Sequence, residues 1–320
     1  MMHSPPEDSV QNWQNCPIFI NSNFKTTTIF VMKDSARVPK TVFRIAANRE
    51  YITKEYRTIK YLKGFSGIAN YIPVPVSLDK RSKRPISCYE YIKGEFFVSR
   101  RKARRSLFQN CLIRICPFLR ELASISIPEF LRNSGAGLDS KLSYLNSASN
   151  KNSSLGEVVK LVTMTSEHLK NTGISKIIVH GDLNFSNILM LPTGTKVIDW
   201  EFVTTGYPLT DFVHFVLSSL NNVPLIDRGS FFLNILNNGA LSESLVVAMS
   251  MLLDSRLSEK DIRSLLCQAV FYYYFKELYY KLENLALIVP TLTAIYSLDL
   301  KKIDAMATFS FKNCFSDKWS

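Results

Sequence analysis

Asp182, Asn187 and Asp199 are three oxygen-bearing side chains within one short stretch, VHGDLNFSNILMLPTGTKVIDWE, which runs from Val179 to Glu201. Asp182 and Asn187 have the D-x-x-x-x-N spacing of a loop that handles phosphoryl groups, and a second carboxylate follows at Asp199. Transfer of a γ-phosphoryl group needs little covalent help but much positioning and charge neutralisation. A carboxylate such as Asp182 suits the proton of an attacking hydroxyl. An amide oxygen (Asn187) and a carboxylate (Asp199) are hard ligands of the kind Mg²⁺ accepts beside phosphate oxygens and water. The sequence thus points to an ATP- and Mg²⁺-dependent site.

The surrounding residues supply strands to carry these groups. Ile177–Val179, Ile188–Leu191 and Val197-Ile198 are apolar runs of strand length, and Pro192-Thr193-Gly194-Thr195 is a turn signal between the last two. The polar residues therefore fall on loops at strand ends. His180 is expected to pack and hold the loop rather than titrate.

VHGDLNFSNIL, VIDWE and GYPLTDFVHF together resemble the core of the aminoglycoside phosphotransferase and choline/ethanolamine kinase superfamily. The resemblance implies a protein-kinase-like two-lobed α+β fold, with a small antiparallel β lobe and a larger, mainly helical lobe. It also implies phosphorylation of a small-molecule hydroxyl. It makes Asp182 the catalytic base, Asn187 and Asp199 metal ligands, and Asp211 a buried brace of the catalytic loop alongside His180. Read without it, Asp211 is a helix N-cap before the apolar run Phe212, Val213, Phe215, Val216. Trp200-Glu201 stands where protein kinases carry Phe-Gly, and Glu201 is a candidate for the acceptor site.

The chain of 320 residues, 46% hydrophobic, is long enough for two lobes. The expected division is a tail at 1–15, a nucleotide-binding lobe at 16–92 and a lobe with the loop and acceptor site at 93–320. The smaller lobe should hold a meander of Pro17–Ile20, Thr28–Met32 and Thr41–Ile45. A helix carrying Ile52, Tyr56, Ile59 and Leu62 should follow, then a strand pair beginning near Tyr71 and ending with Ile86–Ile92. In the superfamily CYEYIKGE would be the hinge, so Glu90, Tyr91 and Ile92 are candidates to meet adenine; an ordinary strand ending at Gly94 fits the same residues. No Gly-rich loop or β3 Lys of the usual kind is present. Asn21, Ser22 and Asn23 offer donors for phosphates or form a plain turn. Arg44 in TVFRIA resembles a choline and ethanolamine kinase strand and could clamp phosphates, with Glu55 as helix partner; as bare sequence, both could equally be solvated.

The larger lobe is expected to be helical over Leu107–Ile125, Leu155–Leu169, Phe212–Leu220, Ser244–Leu253 and Glu259–Leu282, with a loop or insertion between Arg132 and Ser154. Phe271–Phe275 with Tyr279-Tyr280 crowd every face of one helix, filling the core or in part facing a cleft. Six scattered cysteines without C-x-x-C spacing read as reduced core residues. No leader or membrane-length apolar run is seen, which predicts a cytoplasmic protein.

A net charge of +12 opposes a polycationic acceptor and favours a neutral or anionic one. The basic clusters Lys80, Arg81, Lys83, Arg84 and Arg100, Arg101, Lys102, Arg104, Arg105 are solvated faces or peripheral contacts for anionic lipid or glycan. No motif for a specific nucleic acid is present. The rival to a small-molecule kinase is a catalytically silent kinase-like binding protein. A protein kinase fits less well, because DFG and APE are absent.

Overall fold

The computed structural model describes residues 19–21, 27–33, 39–46, 49–81, 85–96, 104–132, 138–149, 153–238, 242–253, 256–278 and 282–298. Ser22, Asn23, Lys83, Arg84, Arg100, Arg101, Lys102, Tyr279, Tyr280 and the 1–15 tail lie outside these residues, and of Asn21 only the backbone is described. The chain divides into two compact units. The first runs to Gly94 and takes in Lys196–Glu201; the second comprises Glu95–Thr195 and the chain from Phe202 onward.

The first unit is a five-stranded antiparallel sheet with one long helix. β1 (Phe19–Asn21), β2 (Thr27–Lys33) and β3 (Pro39–Ala46) form the expected meander. β4 (Pro75–Asp79) and β5 (Ile86–Glu90) complete the order β1-β2-β3-β5-β4. β3 is therefore a central strand, and Arg44 on it lies opposite Ile29 on one side and Ser87 on the other. Its β-branched and aromatic neighbours Val42, Phe43 and Ile45 suit such a position. The helix α1 (Arg49–Leu62) buries Ile52, Ile59 and Leu62 at helical spacing. Glu50 in its first turn and Lys60 in its last complement the helix dipole. Glu55, three residues after Ile52 and four before Ile59, lies on this same buried face and is 2% exposed, for a reason given below.

The second unit is mainly helical. Its long helices are α2 (Arg104–Ser124), α3 (Leu138–Ser149), α4 (Ser153–Asn171), α5 (Thr210–Ser219), α6 (Arg228–Asn238), α7 (Ser242–Leu252) and α8 (Glu259–Glu277). The loop expected between Arg132 and Ser154 is in large part the helix α3. Its Ser- and Asn-rich composition conceals Leu142 and Leu145, which are buried where α3 packs on α4. Two apolar residues three apart suffice there, because packing overrides propensity.

α8 is buried on every side. Ser258 caps it with a reciprocal capping box, donating its N–H to Asp261 Oδ2 at 2.8 Å and accepting from Asp261 N–H at 3.2 Å. Phe271 to Phe275 are all buried, which is the core reading of that aromatic run. The tyrosine hydroxyls are satisfied: Tyr274 donates to the Ile226 carbonyl at 2.9 Å and accepts from Gly229 N–H at 2.7 Å, and Tyr273 accepts from Arg228 at 2.7 Å. Cys88, Cys116 and Cys267 are free and buried. Among the described residues no helix is long and apolar enough to cross a membrane.

Candidate active site

The loop at 180–187 grows out of a two-stranded pair. β6 (Ile177–Val179) runs antiparallel to β7 (Thr204–Gly206), with Val179 opposite Thr204. Past Val179 the chain turns through Gly181 at φ +80°, a left-handed conformation that glycine adopts without strain. A Cβ there would sit 2.3 Å from the Phe202 carbonyl oxygen and 3.0 Å from the Tyr272 hydroxyl. Gly181→Ala is therefore expected to lose roughly 2 to 4 kcal/mol of stability from the combined dihedral and overlap costs. Urea denaturation checks this, and a wild-type midpoint would rule it out.

Asp211 fixes the same turn. It lies in the first turn of α5 and is 4% exposed, and its two oxygens accept from His180 N–H at 2.6 Å and Gly181 N–H at 2.9 Å. The N-cap reading is thereby excluded: the residue before the helix is Leu209, at φ 72° with no side-chain cap. Burial pushes the Asp211 carboxyl up, while His180 and the two backbone N–H groups pull it down. His180 is fully buried, and its Nδ1 accepts from Asp182 N–H at 3.3 Å.

Asp182 thus leaves a braced loop with its carboxylate half-buried. The Asn187 amide, 5% exposed, donates to the Asp182 carbonyl at 2.8 Å and to Asp182 Oδ2 at 3.3 Å. With its NH₂ so engaged, the amide oxygen is the atom of Asn187 left to meet a cation. Asn184 adds a local cap, accepting from Ser186 N–H at 2.8 Å.

Sequence reasoning missed two residues here. Lys276, one residue from the end of α8, donates to Asp182 Oδ1. His214 of α5 lies beside it, with Nε2 3.7 Å from Asp182 Oδ1. His214 is 1% exposed, and burial together with the charge of Lys276 pushes it down to about 4. Lys276 lies 94 positions from Asp182 and follows an aromatic run, so only the fold brings it there. For His214 the signal was a histidine inside the apolar run after Asp211.

In the first unit, Arg44 gathers the acidic residues. Nη1 donates to Glu55, and Nη2 donates to Asp199 at 2.7 Å and to Glu201 at 3.2 Å. Glu55 was the expected partner, and its burial is explained by this ion pair and by the Trp200 N–H, which it accepts at 3.2 Å. Glu201, a candidate for the acceptor site, is instead grouped with Arg44 and Asp199. The solvated alternative for Arg44 and Glu55 is excluded, since both are buried. Burial opposes the Arg44 charge, but the surrounding carboxylates outweigh it and raise its pKa further. With more than one carboxylate per guanidinium, burial pushes Glu55 up to about 7 against the pull of Arg44.

Asp199 has φ 66°, unusual for a residue other than glycine, and its side chain is 33% exposed. It therefore has access to a ligand while Arg44 holds one oxygen. Among the described residues no group of three or more His, Cys, Asp or Glu is arranged to hold a metal by itself. Hard oxygens few in number suit Mg²⁺ that arrives with phosphates rather than a resident metal.

The hinge residues are partly engaged. Glu90 N–H donates to the Val74 carbonyl at 3.0 Å and Tyr91 N–H to that of Lys40 at 2.8 Å. The Glu90 carboxylate accepts from Val74 N–H at 2.9 Å.

A family model described as a phosphotransferase enzyme family, APH, matches residues 18–238. Among solved structures, an ADP-bound aminoglycoside phosphotransferase, APH(2'')-Ib, superposes with TM-score 0.58 at 14% identity, covering 90% of this chain and 97% of its own. A choline/ethanolamine kinase family protein from Mesorhizobium loti gives 0.57 at 14% identity, covering 93% of each. These likenesses establish the two-lobed kinase-like α+β fold class. A curated relative, acyl-CoA dehydrogenase family member 11 of Mus musculus, is 36% identical over 75 residues, 22% of this chain and 10% of that protein. The match spans only a small part of that relative's length.

Proposed function

The chain belongs to the phosphotransferase enzyme family, and from that premise we propose that it transfers the γ-phosphoryl group of ATP to a hydroxyl of a small molecule, with Mg²⁺. The observation that carries this reading is the Asp182 carboxylate, held on a loop that Asp211 fixes through two backbone N–H groups and Asn187 fixes from the other end. The nucleotide-bound states of structural neighbours, one with ADP and an amicoumacin kinase with AMP-PNP and Ca²⁺, support ATP as donor.

In this reading Asp182 orients the acceptor hydroxyl and takes its proton while the acceptor oxygen bonds to the γ-phosphorus and the bond to the leaving diphosphate breaks. Asn187 in the second unit and Asp199 in the first each offer a hard oxygen of the kind Mg²⁺ takes, and the ion would supply charge neutralisation at the phosphates when bound. Arg44 orients Asp199 by holding one of its oxygens. Ile92 N–H and the hinge carbonyls would meet adenine, since the N–H groups of Glu90 and Tyr91 are used.

The acceptor is a small hydroxyl compound (a sugar, an amino alcohol such as choline or ethanolamine, or a glycan precursor), with a neutral or anionic compound favoured over a polycation. Net charge favours this, and the ammonium of Lys276 against Asp182 adds a local cation where a polycation would be least welcome. The purified protein incubated with Mg-ATP and a metabolite pool is expected to yield a product heavier by one phosphoryl group, detected by mass spectrometry. Kanamycin is expected to be a poor acceptor beside it. Efficient kanamycin phosphorylation would overturn the charge argument, and a pool with neither product nor ADP would favour a silent binding protein.

A further inference from the structure

Lys276 has no part in the reaction as written above, yet its ammonium is held from three directions. Nζ donates to Asp182 Oδ1, lies 3.5 Å from His214 Nε2, and sits over the Phe202 ring at 4.7 Å from its centroid. The His214 contact is polarised one way. Its Nδ1 lies 3.0 Å from the Leu183 carbonyl oxygen, which only accepts, so the proton is on Nδ1 and the Nε2 lone pair faces Lys276. Burial keeps that imidazole neutral, and a neutral imidazole can accept from an ammonium. Phe202 offers the negative face of its ring to the same charge. The residue stands on α8, which the capping box and the buried tyrosine hydroxyls anchor along its length.

We propose that Lys276, seated by His214 and Phe202, is a positioning residue that fixes Asp182 Oδ1 and so presents Oδ2 to the acceptor hydroxyl. A carboxylate on a single side-chain bond system would otherwise rotate between orientations, and only one aims a lone pair at the incoming proton. Asn187 at 3.3 Å from Oδ2 and Lys276 at Oδ1 grip the group from both ends. The other charged or titratable groups around it are His180 on the loop, Asp211 and His214 on α5, and Tyr272 and Glu277 on α8. Among these, Lys276 supplies the ammonium that touches Asp182.

The inference rests on Asp182 as proton acceptor, so the test separates the two. Lys276→Met keeps the length and removes the charge. It is expected to lower kcat by about tenfold to a hundredfold, the scale of a misplaced reacting group, while KM for Mg-ATP stays within about twofold. Lys276→Arg is expected to restore most of the loss. Crystal structures of wild type and Lys276→Met, which need no acceptor, should show the Asp182 carboxylate turned away from its wild-type orientation in the variant. An unturned carboxylate, or an undiminished kcat where Asp182→Asn is impaired, overturns the role of Lys276. Undiminished turnover in Asp182→Asn overturns the underlying reading instead. If Lys276→Met cannot be purified, Lys276→Gln carries the same two measurements.

Discussion

Asp182→Asn is expected to lower turnover by roughly a hundredfold or more, the usual scale for loss of a general base, with Mg-ATP affinity near that of the wild type. The amide is nearly isosteric, so the loop held by Asp211 and Asn187 has no steric reason to move. An amide oxygen can still accept a hydrogen bond from an acceptor hydroxyl, which preserves binding. It cannot take the proton as the new O–P bond forms. The effect should therefore fall on kcat rather than KM. Lys276 loses its counter-ion in this variant, so a modest drop in thermal stability should accompany the loss and be measurable by calorimetry. Wild-type turnover in Asp182→Asn would remove the basis for calling this chain a phosphotransferase that works through Asp182.

Much of that site was legible because the chemistry is local. Asp182 and Asn187, five residues apart, meet on one loop, and strand-length apolar runs flank that loop. The small sheet was legible for the same reason: β2 and β3 are dense in Val, Ile, Phe and Thr and are separated by polar turns. What escaped depends on long-range packing. Lys276 reaches Asp182 only because α8 packs on α5, a contact no periodicity encodes. The three carboxylates around Arg44 come from α1 and from the segment Lys196–Glu201, which joins the first unit although it follows the loop in sequence. The helix α3 was hidden by its composition, since Ser and Asn dominate and Leu142 and Leu145 alone carry its buried face among its described side chains. Asp211 shows the limit of local rules most clearly. Thr210-Asp211 before an apolar run has the pattern of an N-cap, and the backbone places the same carboxylate two residues past the cap, in the first turn and bonded to another segment.

Arg44→Ala is expected to cost about 3 to 5 kcal/mol of folding stability, the scale for stripping one partner from a buried ion pair. The guanidinium is 7% exposed and faces Glu55 at 3%, Glu201 at 20% and Asp199 at 33% side-chain exposure. Without it, Glu55 must protonate or draw water into the sheet–helix packing, and Asp199 loses the group that fixes one of its oxygens. Mg-ATP affinity should fall with it. The loss follows from a misplaced metal ligand, because in the structure both Nη atoms of Arg44 are committed to carboxylates. Arg44→Lys should recover only part of the stability. A single ammonium on a shorter stem cannot meet carboxylates on two sides as a planar fork does. Glu55→Gln separates charge from packing: it removes one surplus negative charge, and its amide oxygen can still accept from Trp200 N–H, so its cost should be clearly smaller. Urea denaturation of the three variants gives the order and calorimetry with Mg-ATP gives the affinities. Equal stability of Arg44→Ala and wild type would mean that the buried cluster contributes nothing to the fold, and an unchanged affinity would detach Arg44 from the placement of Asp199.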